Sequence, residues 1–151
     1  MTKFLLLLGV ESTKIASVRR PPNGRLLVQF RCTKCGEETK MISFSPDERI
    51  DIPNSRGTTN LHYTCKACSS RCNVEVTGEH VYDNQEALQK PILELEIRGS
   101  LEPITWSLVE FMAISTVGTE FIGDGSAKDW CDYDEALEEQ VELISLTYTV
   151  K

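Results

Sequence analysis

The sequence of 151 residues predicts an all-β fold, sandwich- or barrel-like. Three observations lead there. Short strand-like segments recur almost throughout the chain, Gly and Pro clusters punctuate those segments, and only residues 132–140 have helical character. Thr, Val, Ile and aromatic residues fill the segments, as suits half-buried pleated surfaces.

The first predicted strand, Lys3–Val10, is continuously apolar from Phe4 onward, which points to burial on both faces. As a signal-peptide core this run is at the short limit. Glu11 follows it without a small-x-small cleavage site, so it reads as a strand. Thr13–Val18 comes next, then the turn Pro21-Pro22-Asn23-Gly24, where proline fixes φ and Asn-Gly tolerates left-handed backbone. Arg25–Arg31 and Lys40–Phe44 precede two breaks, at Ser45-Pro46-Asp47 and at residues 52–57. Asn60–Thr64, Cys72–Val76, Ile92–Arg98, Ile104–Val109 and Met112–Ser115 are further predicted strands. A helix of one or two turns is predicted over Asp132–Gln140. The last strand, Gln140–Val150, alternates, with Ile144, Leu146, Tyr148 and Val150 on one face and Ser145, Thr147 and Thr149 on the other.

Residues 1–151 read as one compact β unit. The pattern L-x-Y-T-x-K recurs at 61–66 and 146–151, which allows two similar β subdomains, about 1–80 and 81–151. Charge divides the halves more sharply. Residues 1–75 hold 12 Lys and Arg against 7 Asp and Glu, a net of +5, and residues 76–151 hold 4 against 16, a net of −12. The acidic excess peaks at 129–142 and lacks the ligand spacing of a calcium loop, so a solvated face is expected there.

Chemistry concentrates in two C-x-x-C pairs, Cys32/Cys35 and Cys65/Cys68, with 29 residues between them. Two residues between cysteines let both sulfurs of a pair turn to one point, and two pairs can close a tetrahedral four-sulfur cage around one Zn²⁺. Gly36 permits the positive φ of a tight knuckle, and Ser69 is the small residue in the corresponding place. Cys72 is a competing ligand on spacing, though a buried thiol is the favoured reading. Cys131, beside Trp130, is expected in the core. His62 and His80 are available as nitrogen ligands, but four sulfurs already complete a site. The nearby cations Arg31, Lys34, Lys40, Lys66 and Arg71 would offset the −2 formal charge of a zinc tetrathiolate.

Other classes fare worse. Six cysteines in 151 residues are too sparse for a disulfide scaffold, and neither pair opens a helix as redox motifs do. A net charge of −7 and the lack of interleaved aromatics disfavour a zinc-ribbon-like nucleic-acid binder. No stretch approaches the roughly 20 apolar residues of a membrane span. A closed four-cysteine site leaves no position for water, and no nucleophile elbow, phosphate loop or H-E-x-x-H occurs, so no enzyme is expected.

The order Phe30-Arg31-Cys32-Thr33-Lys34-Cys35-Gly36-Glu37, Ser55-Arg56-Gly57 and Tyr63-Thr64-Cys65-Lys66-Ala67-Cys68 resembles the eukaryotic CXXC motif-containing zinc-binding protein family. The stretches at 97–103 and 129–135 are similar to that family's R-G-L-E-P and D-W-x-D-Y-D-E, with Ser100 as a departure. The resemblance implies a small intracellular all-β protein of unassigned function, with Cys32, Cys35, Cys65 and Cys68 as ligands.

The expectation is therefore a cytoplasmic or nuclear protein with one structural Zn²⁺, acting as a non-catalytic interaction or adaptor module for a protein partner. Metal handling with exchangeable zinc is the alternative.

Overall fold

A computed structural model describes residues 1–83 and 88–151. Among the described residues there are fifteen strands and no helix. The strands are β1 (Thr2–Thr13), β2 (Ile15–Arg19), β3 (Leu26–Cys32), β4 (Ile42–Phe44), β5 (Ile50–Asp51), β6 (Thr58–Thr59), β7 (Leu61–Thr64) and β8 (Arg71–Glu79). The chain continues with β9 (Tyr82–Asp83), β10 (Lys90–Arg98), β11 (Leu101–Leu108), β12 (Glu110–Ser115), β13 (Glu120–Asp124), β14 (Trp130–Asp134) and β15 (Glu139–Val150).

A six-stranded sheet, β14-β15-β1-β10-β8-β7, faces a three-stranded sheet, β11-β3-β4, and a four-stranded one, β13-β12-β2-β9, while β5 and β6 form a small hairpin. One apolar cluster joins them. Leu6, Leu8, Val74, Leu95, Ile97 and Leu143 come from the large sheet, Val28, Phe30, Trp106 and Leu108 from the second, and Val18, Phe111 and Ala113 from the third. Each large aliphatic or aromatic side chain so buried contributes about 1.5–3 kcal/mol. Both halves of the sequence supply the cluster.

In β1, Leu6, Leu8 and Val10 are buried, whereas Leu5 and Leu7 on the other face are half-buried, so the expected burial on both faces is only partly realised. The two L-x-Y-T segments occupy unlike places. Leu61–Thr64 forms the edge strand β7 beside β8, whereas the segment from Leu146 is the C-terminal part of the long strand β15 and pairs with β1.

Two expectations at the C-terminal end are corrected. Residues 132–140 form no helix. They are the tip of the β14–β15 hairpin, in which Asp134 pairs with Glu139. Asp134 is buried, and its Oδ1 accepts the main-chain N–H groups of Ala136 (3.0 Å) and Leu137 (3.4 Å) and the Thr119 hydroxyl (2.9 Å). Aspartate thus supplies locally the partners that a helix would supply from its backbone. Nor does Ile144 share a face with Leu146. Glu11 pairs with Ser145 and Ser12 with Leu143, so Ile144 is an extra residue in a bulge. Val141 and Leu143 point inward before it, and Leu146, Tyr148 and Val150 after it, which leaves Ile144 exposed.

The turn from β10 to β11 carries the chain from the large sheet to the second through Gly99-Ser100. Gly99 has φ of +104°, and a Cβ there would lie 2.6 Å from the Arg71 carbonyl oxygen and 3.0 Å from the Cys72 sulfur. Glycine is required at this position on both counts.

Candidate metal centre

Strand β3 ends at Cys32, and the chain then turns through residues 33–35. Gly36 donates its N–H to the Cys32 carbonyl (2.8 Å), and Cys32 donates its own to the Glu37 carbonyl (2.8 Å). The second turn repeats this between β7 and β8. Ser69 donates to the Cys65 carbonyl (2.9 Å), and Cys65 donates to the Ser70 carbonyl (2.9 Å). The residue four places after the first cysteine is left-handed in both, Gly36 at +82° and Ser69 at +61°. The first turn is also tied to the β10–β11 connection, because Thr33 donates to the Ser100 carbonyl (3.0 Å).

These turns bring the four sulfurs of Cys32, Cys35, Cys65 and Cys68 within 4.8 Å of one another. Cys32 Sγ lies 3.7 Å from Cys68 Sγ, and Cys35 Sγ lies 3.5 Å from Cys65 Sγ. Zn–S bonds of about 2.3 Å in a tetrahedron place ligand sulfurs about 3.8 Å apart, so the cage has the size and the soft donors that one Zn²⁺ needs. No other group of three or more His, Cys, Asp or Glu of this kind occurs among the described residues.

Burial is unequal. Cys32 and Cys65 are each 2 % exposed, Cys68 is half-buried, and Cys35 faces solvent. The Ser70 hydroxyl lies 3.1 Å from Cys68 Sγ and, with the Ser70 N–H, lowers that thiol to about 6. At Cys35 the Glu37 N–H acts in the same direction, but desolvation and the three neighbouring sulfurs outweigh it and push the thiol up to about 12. The two outer thiols, Cys35 and Cys68, are thus shifted in opposite directions. A bound cation would favour the thiolate form of its ligands.

The remaining candidates lie elsewhere. Cys72 is buried in β8 with its thiol pushed up, chiefly by burial. His62 Nδ1 is 2.7 Å from Asn73 Oδ1, and His80 Nε2 is 3.0 Å from Glu94 Oε2. Cys131 does not pack in the core. Along β14 the Trp130 ring turns inward against Phe111 and Phe121 (centroids 5.6 and 5.4 Å), which sends the next side chain out to solvent. Of the expected cations, Arg31 is paired with Glu102 (3.1 Å), and Lys34, Lys66 and Arg71 are exposed on or beside the two turns. Ser70 was not among the sequence-derived site residues. Its signal is a hydroxyl two positions after a ligand-type cysteine.

Fold and site together define a zinc-binding β protein whose paired C-x-x-C turns form one four-cysteine cluster compatible with one Zn²⁺. The chain belongs to the family described as CXXC motif containing zinc binding protein, eukaryotic, whose model matches residues 5–151. A UPF0587 protein of Schizosaccharomyces pombe is 29% identical, over 99% of this chain and 98% of its own length. The human CXXC motif containing zinc binding protein is 28% identical, over 98% of this chain and 97% of its own. The crystal structure of C1orf123 superposes with a TM-score of 0.89 at 26% identity, covering 99% of both chains. A hypothetical protein from Plasmodium falciparum shares the fold, with a TM-score of 0.88 at 20% identity over 100% of both chains.

Proposed function

We propose that Cys32, Cys35, Cys65 and Cys68 hold one Zn²⁺ as a structural clamp, in a non-catalytic protein that works as an interaction or adaptor module. The convergence of two like turns, from segments 29 residues apart, on one cage supports this reading most. Zinc bound there ties the end of β3 to the β7–β8 hairpin, and its binding free energy becomes folding free energy. Four thiolates leave no open position for water, which argues for structure over catalysis.

A protein partner would meet the acidic hairpin, where Asp132, Glu135, Glu138 and Glu139 are exposed. β14 and β7 are opposite edges of the large sheet, five strand spacings or about 24 Å apart. An interface at the acidic edge therefore leaves the cysteine end free. A cytoplasmic or nuclear location fits six free cysteines in a reducing compartment. No helix among the described residues is long and apolar enough to cross a membrane.

The exposure of Cys35 favours a second reading, in which the zinc is exchangeable and is handed on. Metal analysis of the purified protein followed by chelator competition separates the two. One zinc per chain that resists chelation for hours supports the clamp. Release within minutes without unfolding supports metal handling, and purified protein that takes up no zinc overturns both.

A further inference from the structure

The two cysteine turns share a backbone and differ in what their side chains give to the sulfur. Position by position, Glu37 corresponds to Ser70, since each carbonyl accepts the N–H of the first cysteine five residues earlier. Each of these residues also offers its main-chain N–H to the second cysteine of its pair. Ser70 adds a hydroxyl, 3.1 Å from Cys68 Sγ, whereas the carboxylate of Glu37 has no proton to add. The outer sulfurs differ in cover as well, Cys68 being half-buried and Cys35 exposed.

From these contrasts we infer that the centre is built asymmetrically: Cys35 is the sulfur that reacts with electrophiles and leaves the metal first, and Ser70 is a positioning residue that anchors Cys68. The inference rests on the zinc-clamp reading. A hydrogen bond to a thiolate draws its lone-pair density away from an incoming carbon and stabilises the sulfur in place. Cys32 and Cys65 are shielded by burial, and Cys68 by cover and by the Ser70 hydroxyl. Cys35 has the Glu37 main-chain N–H but neither the cover nor a hydroxyl like that of Ser70. With iodoacetamide as the electrophile, a Cys35 sulfur lone pair attacks the methylene carbon, the S–C bond forms, and iodide leaves with the C–I electron pair. The neutral thioether that results is a much weaker ligand than a thiolate.

The experiment uses the zinc-loaded full chain, with metal content fixed by elemental analysis beforehand, limiting iodoacetamide and peptide mapping over time. Cys131, exposed on β14, labels independently and is read on its own peptide. Among the four clustered cysteines, Cys35 is expected to be modified first, with zinc loss tracking that modification. Ser70→Ala should raise the labelling rate of Cys68 about tenfold, the size expected for one lost charge-assisted hydrogen bond, and Ser70→Thr should restore it. Modification of Cys68, Cys32 or Cys65 ahead of Cys35, or of all four together, would overturn the inference, and the wild-type order decides this even if a variant fails to fold. A chain that binds no zinc fails at the metal analysis, before any labelling, and that result overturns the clamp reading together with this inference.

Discussion

The indole N–H of Trp106 is donated to the main-chain carbonyl of Thr149 at 2.8 Å, joining β11 of the second sheet to β15 of the large one. The same ring meets Tyr148 edge-on, with centroids 4.8 Å apart, and is 2 % exposed. One side chain thus supplies both apolar burial and a directional bond between sheets.

Trp106→Phe retains most of that burial but leaves the Thr149 carbonyl without its partner. A stability loss of about 1–3 kcal/mol is expected from the orphaned acceptor. Urea unfolding with an unchanged slope and a lowered midpoint would register it. An unchanged midpoint would show that water replaces the indole.

Removing zinc, or making Cys32→Ser or Cys65→Ser, is expected to loosen β3, β4, β7 and β8 ahead of β1 and β15. A deficit of about 3 kcal/mol corresponds to a drop in Tm of about 6–12 °C for a chain of this size. Hydrogen exchange should then rise at residues 26–44 and 61–76. Equal melting temperatures before and after verified metal removal would rule out the clamp.

Gly99 and Gly36 are both left-handed, but only Gly99 is crowded. Gly36→Ala therefore carries only the backbone penalty of about 1–2 kcal/mol for a Cβ in that region. Gly99→Ala should cost distinctly more, because the new carbon would also press on the Arg71 carbonyl and on Cys72. Thermal melts of the two variants side by side test the ranking, and equal losses would refute it.

The Asp134 carboxyl is held below its ordinary 3.8, first by the Ser115 hydroxyl, then, against the opposing effect of burial, by Thr119 and by the main-chain N–H groups of Leu137 and Ala136. A carboxyl lowered by folding contributes stability that is present above its unfolded value and is lost as pH falls through its folded value. Wild-type protein should thus lose the contribution of this carboxyl as pH falls below about 4, and Asp134→Asn should flatten that part of the acid limb. Urea midpoints taken between about pH 3 and pH 7 give the comparison. Parallel curves for the two proteins would remove Asp134 from the account.

The site was legible along the chain because a C-x-x-C turn is a local object. Its sulfur spacing, its left-handed fifth position and its soft donors all follow from five or six consecutive residues, and Gly36 and Ser69 lie where that reasoning put them. Asp132–Gln140 reads as a helix in the sequence because its charged and small residues suit a helix as well as a hairpin tip, and the contact that decides, Thr119 on Asp134, lies 15 residues away. Ile144 was misplaced for a related reason. An alternating pattern fixes which residues share a face only while the register is unbroken, and the bulge opposite Glu11 and Ser12 is invisible within β15 alone.

Local chemistry, then, was enough for the all-β character, for the four thiols and for the metal they suit, because propensity and ligand spacing act over neighbouring residues. Contacts between remote segments decided the rest: the order of strands, the inward turn of Trp130 that exposes Cys131, and the unequal cover of Cys35 and Cys68. A sulfur's exposure depends on which strands close over it, and that depends on pairing across the sheets.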